Sequence, residues 1–429
     1  MGSDDRFDVI VIGGGPGGAV ASARLARHGR RVLVLERDRF PRFHLGESLL
    51  PESLGILDAI GLLPEVDARF IRKPGAHFHD SYTDRSARFD FGEAFHPRYR
   101  YAYQVPRDEF DALLLSHAEK QGATVRHGWT ADRVCFEGDV AVGVLARDPE
   151  GRACTLDARV VVDATGRDAL LARSQRTLTR IASLDTTALY SQWRGVQREP
   201  GDRAGDFHLV LFGDKDGDPV TAPPLGWFWF IPFKDGRTSV GAAASRAWVR
   251  RHAGEDPPAL YARAIAESPV ASRFLEGAEQ LWPARATADF SVHVSELAGD
   301  GWLLVGDAGG FIDPLFSTGA HLAMHGGFHA ADAIHAALTA GDVTRRRFAE
   351  WAETMRSGAD VFTNMVESFY DGVLSRVIFA DHPHPYLVHV ITSLLAGNVF
   401  DKDARWLADA RTRISRGELT KLIAQSTPR

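Results

Sequence analysis

The sequence predicts an α/β fold in which a sheet-and-helix unit is interrupted by an inserted β-sheet domain and followed by a helical C-terminal region. Three observations carry this expectation. The chain opens with a buried strand, a glycine turn, an alanine-rich helix and a second strand, a βαβ unit. Two later apolar runs, Val160-Val161-Val162 and Trp302-Leu303-Leu304-Val305, each lead into a short turn containing glycine and aspartate. Residues 180–290 between them are strand-rich, and from residue 341 the pattern becomes helical.

Taken in order, Asp8-Val9-Ile10-Val11-Ile12 is the first strand, and Gly13-Gly14-Gly15-Pro16-Gly17-Gly18 turns the chain into a helix reaching about His28. Gly29 closes that helix, and Val32–Leu35 form the next strand, ending at Glu36. Residues 51–63 read as a short helix opening at Pro51. Residues 76–103 alternate aromatic and polar side chains, as antiparallel strands do. Phe110, Leu113, Leu114 and His117 give residues 107–121 helical spacing, and residues 124–163 read as a β-meander turning at Asp148-Pro149-Glu150-Gly151. Gly306-Asp307-Ala308 is expected to lead into a long helix. The resulting division is a discontinuous domain of residues 1–75, 104–180 and 285–340, a sheet-rich substrate domain of 76–103 and 181–284, and a helical region of 341–429.

Composition narrows the functional classes. The 429 residues are 45% hydrophobic and 25% charged, with a formal net charge of −6, which argues against a nucleic-acid binder. Cys135 and Cys154 show no metal or redox spacing and read as free thiols. The polar start has no secretory signal pattern, and no apolar run reaches the roughly 20 residues of a membrane helix, so the expected setting is cytoplasmic with no membrane partner.

The glycine turn is the Gly-x-Gly-x-x-Gly fingerprint of a Rossmann-type dinucleotide site. Gly13 permits the tight turn and Gly15 the approach of a pyrophosphate. Gly18 permits close helix–strand packing, and Pro16 opens the helix whose N-terminus favours phosphate charge. Glu36 stands where an acid accepts ribose hydroxyls. Asp163-Ala164-Thr165-Gly166 and Gly306-Asp307-Ala308 resemble the later flavin motifs of glutathione-reductase-like flavoproteins. That resemblance implies FAD, with Asp307 at the ribityl chain, Arg107 as a cofactor contact and Gly46-Glu47-Ser48 near the flavin ring. Without the flavin, Asp307 reads as a helix cap.

Trp227-Phe228-Trp229-Phe230-Ile231-Pro232 places two tryptophans on one face of a strand that the proline ends. Alone this is an aromatic core strand; in a flavoprotein it resembles the Trp-x-Trp-x-Ile-Pro signature of flavin-dependent halogenases, thought to shield the flavin. Pro314-Leu315-Phe316-Ser317-Thr318-Gly319 resembles that family's loop, in which Ser317, Thr318 and Gly319 would bind halide; helix-start amides form an anion nest. Lys73 in Lys73-Pro74-Gly75-Ala76-His77-Phe78 resembles the family's Lys-x-Gly-x-x-Phe segment and would be catalytic; by itself it reads as a solvated surface lysine.

The resemblance implies that FADH2, supplied by a separate flavin reductase, turns O2 and chloride or bromide into hypohalous acid, which Lys73 relays to an electron-rich aromatic ring. Tryptophan halogenases carry glutamate where this chain has Phe316, which points instead to a phenol or pyrrole, free or tethered to an acyl or peptidyl carrier protein, in natural-product biosynthesis. Substrate contacts are expected from the 180–290 sheet and from Phe369 and Tyr370. Two other flavin enzymes compete, an aromatic hydroxylase and a geranylgeranyl-reductase-like oxidoreductase. A non-catalytic flavin-binding protein is the third reading. His321 and His325 lie one helical turn apart, but two ligands without a third are a thin metal site.

Overall fold

The computed structural model describes residues 6–83, 85–213, 224–288, 291–401 and 403–408. Its first sheet has a parallel core in the order Trp302–Leu304, Ala153–Asp163, Phe7–Ile12, Val32–Glu36 and Thr124–His127, edged by the antiparallel pair Ala298–Gly299. Its central strands are apolar on both faces because both are covered: Val9, Val11, Val34 and Val162 pack under helices, and Ile10, Ile12, Leu33 and Val161 pack against Val134, Val144 and Ala146 of the antiparallel ribbon. Helix Pro16–Arg27 packs its small residues against helix Thr318–Ala340, so closely that a Cβ at Gly327 would fall 2.2 Å from the Gly17 carbonyl oxygen. The expected meander is present, but Thr124–His127 leaves it to join Val32–Glu36 in parallel; Thr130–Glu137 and Val140–Arg147 extend the sheet through Ala153–Asp163.

A second sheet runs Glu279–Gln280, Thr186–Arg194, Arg237–Ser245, Gly226–Pro232, Phe207–Phe212, Gly75–Asp80, Ser86–Asp90. Alternation along its strands gives it two cores. Phe78, Leu209, Leu211, Trp227 and Trp229 pack with Phe362, Phe369 and the helix Pro385–Leu395 on one face. Val210, Phe212, Phe228 and Phe230 pack with Trp248, Tyr261 and Val270 on the other. The latter face is covered by helices Arg246–Arg251, Pro257–Ala266 and Pro269–Phe274. The strand pattern of 180–290 did not announce these helices, each opened by the side chain of Ser245, Asp256 or Ser268 accepting a backbone N–H.

Two expectations are corrected. Gly306-Asp307-Ala308 forms a tight turn, Gly306–Gly309, rather than a helix start; the long helix begins at Thr318. Residues 51–63 hold helix Ser53–Ala59 and the start of a second, Leu63–Arg69. From 341 onward the described residues carry helices Arg345–Tyr370, Val373–Ile378 and Pro385–Leu395; residues 409–429 lie outside them. No helix among the described residues is long and apolar enough to cross a membrane.

Candidate active site

A cavity of about 750 Å³ opens between the two sheets, walled by the glycine turn, the 42–48 loop, the Gly306–Asp307 turn, the start of helix Thr318–Ala340 and the tryptophan strand. The glycines behave as their spacing predicts. Gly13 has φ +102°, and a Cβ there would lie 2.3 Å from the Ala164 carbonyl oxygen. A Cβ on Gly18 would meet the Gly13 carbonyl at 2.0 Å, whereas one on Gly15 meets only Arg42 at 3.7 Å, so Gly15 faces open space that a phosphate would fill. Glu36 is buried and accepts from the Gly14 N–H at 2.7 Å and the Asp38 N–H at 2.8 Å. A carboxylate has about four acceptor sites, so it braces the turn and still has room for ribose hydroxyls.

Arg107 forms a two-pronged ion pair with Asp111, at 2.7 and 3.0 Å, and donates to the Leu45 carbonyl at 2.7 Å. It lines the cavity and also suspends the 42–48 loop from helix Arg107–Lys120. Glu47 hangs from that loop, with burial pushing its carboxyl up to about 7 against the pull of Ser239 and Arg107. Its Oε1 is buried without a hydrogen-bond partner. Asp307 lines the same cavity, and burial raises it to about 6, opposed by Arg107 and Arg167. An adenine dinucleotide flavin suits a cavity with these glycines, a helix N-terminus and orphaned polar atoms facing inward.

Trp227 and Trp229 line the cavity side by side, ring centroids 5.9 Å apart. The Trp229 ring lies over Gly241 of the neighbouring strand, where a Cβ would sit 2.1 Å from the indole. Trp227 Nε1 donates to the Tyr370 hydroxyl at 3.0 Å, and Tyr370 donates to Asp313 Oδ2 at 3.2 Å. Burial lifts Asp313 to about 7 against the Leu315 amide and Tyr370. Pro232 ends the strand, as its missing donor requires, and lies outside the cavity lining.

Ser317 adopts a left-handed conformation, φ +58°, immediately before helix Thr318–Ala340. Its side chain caps nothing, which leaves the first-turn amides free to meet an anion. Ser317, Gly319 and Pro314 line the cavity; Thr318 is buried behind them. Phe316 is also buried, edge-on to Phe369 at 5.9 Å, and takes no part in the wall.

Lys73 is not a surface lysine. It is 2% exposed, and its Nζ donates to Ser48 Oγ at 2.8 Å and the Leu49 carbonyl at 3.1 Å. The rings of Phe91 and Phe207 lie 5.2 and 5.3 Å from the nitrogen. Burial brings its pKa down to about 7, with Asp206 acting in the opposite direction. Ser48 and Phe207 face the flavin cavity, so the lysine stands one residue behind its wall.

Sequence reasoning missed several wall residues. Arg42, Phe43 and His44 line the cavity; Phe43 stacks on Tyr190 at 5.8 Å and meets Trp282 edge-on. Asp313 was also missed, since its role depends on Tyr370 from a distant helix. His321 donates to or accepts from Ser53 Oγ at 3.0 Å, a structural contact.

The chain is similar to known proteins over most of its length. The model of the tryptophan halogenase family matches residues 92–373, and that of NAD(P)-binding Rossmann-like domains matches residues 11–46. A tryptophan 2-halogenase of Chondromyces crocatus is 32% identical over 371 residues, 85% of this chain and 67% of its own length. The chain thus spans about two thirds of that relative. A 1H-pyrrole-2-carbonyl-(peptidyl-carrier protein) brominase of Pseudoalteromonas luteoviolacea is 28% identical over 92% of this chain and 93% of its own length. Among solved structures, the flavin-dependent brominase Bmp2 superposes with a TM-score of 0.84 at 26% identity, covering 97% of this chain and 100% of its own. The myxobacterial chondrochloren halogenase CndH gives 0.78 at 30%, covering 98% and 97%.

Proposed function

Because the chain belongs to the flavin-dependent halogenase family, we propose that it halogenates a phenol or pyrrole ring, free or carried as a thioester on a carrier protein, with Lys73 delivering hypohalous acid. The enzyme uses FAD, halide and O2. Reduced FAD, when bound, supplies the oxygen activation that converts halide to hypohalous acid, and a separate flavin reductase would keep it reduced.

The observation that carries the lysine relay is the burial of Lys73 directly behind Ser48 and Phe207 of the flavin cavity wall. Two of its three N–H donors are placed on Ser48 and Leu49, which leaves one for the hypohalous oxygen. A pKa near 7 lets the ammonium give its proton as the O–halogen bond breaks. The ring carbon gains the halogen, the oxygen takes the Lys73 proton and leaves as water, and the ring carbon's proton passes to the Lys73 amine and restores the ammonium. The Ser317–Gly319 amides hold the halide, and the tryptophan wall keeps bulky rings from the flavin.

Phe316 supports an already activated ring, since it puts a buried apolar side chain where the tryptophan-specific branch has glutamate. The pyrrolyl-carrier-protein brominase, similar over nearly the whole of both chains, supports a tethered substrate. The division into a discontinuous flavin domain, a sheet-rich substrate domain and a helical C-terminal region belongs to the same proposal.

Mass spectrometry of an assay with FAD, a flavin reductase, NADH, O2 and halide tests it, offering phenols and pyrroles free and carrier-bound. The expected product replaces one hydrogen with halogen and requires halide. A gain of one oxygen instead would identify a hydroxylase.

A further inference from the structure

The face of the second sheet turned away from the flavin holds a cluster that the halogenase chemistry does not use. His77 and His79 stand two apart on strand Gly75–Asp80, so both project to one side. His208 on Phe207–Phe212 is paired in register with His77. Their neighbours Ala76, Phe78, Phe207 and Leu209 belong to the core on the flavin side, which directs the histidines to the opposite one. One ligand nitrogen from each of the three lies within 4.8 Å of the other two. We propose that His77, His79 and His208 form a zinc-type divalent metal site, with Glu199 as the fourth ligand.

The geometry is close to what zinc requires. His79 Nε2 and His208 Nδ1 are 3.0 Å apart. Zn–N bonds of 2.0–2.1 Å in a tetrahedron set ligand atoms about 3.3 Å apart. These two nitrogens share a single proton that a metal ion would replace. His77 Nδ1 is buried with no hydrogen bond, and Glu199 Oε1 stands 3.9 Å from it, partly open to solvent. Metal binding would draw the remaining ligand atoms together from separations of up to 4.8 Å.

The surroundings favour neutral imidazole, the form a metal takes. Burial depresses all three rings, His208 to about 3 and His79 to about 2. Phe274 packs edge-on against His79 and His208, an apolar shell that excludes water. The charges facing the cluster are Arg88, Arg203 and Arg273 against Asp206 and Glu199, and Arg88 is already paired with Asp206 at 2.7 Å and Asp90 at 2.8 Å. Glu199 faces His77 across 3.9 Å, where a fourth ligand is needed.

Equilibrium dialysis of the tag-free, FAD-loaded chain against zinc, with bound metal counted by plasma mass spectrometry, tests the site. One equivalent per chain is expected. His208→Gln and His79→Gln should each weaken binding by at least about tenfold. His77→Gln, at the half-buried rim, carries the test if the buried variants do not fold. Cobalt in place of zinc should give the intense absorption of a four-coordinate site beyond the flavin band. His325→Gln, which breaks the separate row His321, His325, His329, should leave binding unchanged. No bound metal, or binding lost with His325→Gln and kept with His208→Gln, overturns the assignment.

Discussion

Replacing Lys73 by methionine keeps an unbranched side chain, one atom shorter, and removes the ammonium. The structure sets two consequences. Lys73 titrates near 10.5 in the unfolded chain and near 7 in the fold, because burial opposes its charge. Between those values the unfolded state binds more protons, so wild-type stability rises with pH across the window 7–10.5. The full difference, about 3.5 units at 1.36 kcal/mol each, is roughly 5 kcal/mol, a cost present below pH 7 and gone above 10.5. Lys73→Met has no such group. Urea denaturation of both proteins across this range should give stability curves that diverge by about that amount, the wild type gaining on the variant as pH rises. At fixed pH, halogenated product should disappear while NADH-driven flavin oxidation persists. Parallel stability curves would mean that Lys73 keeps its charge in the fold. Product formation by Lys73→Met would remove the lysine from the relay.

Glu47→Gln tests the second buried ionisable group. The folded carboxyl titrates near 7 against 4.5 unfolded, so the fold holds its proton longer and wild-type stability falls as pH rises from 4.5 to 7. The variant should escape that loss and lead by about 3 kcal/mol above pH 7; a flat difference curve would contradict the burial argument. Ser317→Val places a β-branched residue at φ +58° and should cost about 1–2 kcal/mol and raise the KM for halide, while Ser317→Gly keeps both near wild type. Halide kinetics unaltered by the valine would locate the anion elsewhere. Gly18→Ala drives a methyl to 2.0 Å from the Gly13 carbonyl and should destabilise by about 1–3 kcal/mol, with FAD content falling on purification; a normal flavin spectrum would show that the turn yields.

What the sequence disclosed was what short-range rules control. The glycine fingerprint, the alternation of Trp227 and Trp229 with Phe228 and Phe230, and the end of that strand at Pro232 follow from sterics within a few residues. The Lys-x-Gly-x-x-Phe segment located Lys73, although composition alone would have left it in solvent; its burial comes from Phe91 and Phe207, which no local pattern joins to it. The helices between 246 and 274 are short and sit in a strand-rich stretch, so periodicity was diluted. Asp313, Tyr370 and Trp227 meet only through tertiary packing. The histidine cluster was invisible for the same reason: His79 and His208 are separated by 129 positions in the chain and by a parallel strand pairing that sequence does not reveal.

The contact between Trp229 and Gly241 bears on how such an enzyme changes over time. The indole occupies the volume a side chain at 241 would need, so the two positions share one fitness landscape. A larger residue at 241 requires the ring at 229 to move or go, because a Cβ there would sit 2.1 Å from the indole. The tryptophan signature is in this sense a two-strand property, and a graft of its six residues into a flavoprotein with alanine or valine opposite would arrive without the space it requires.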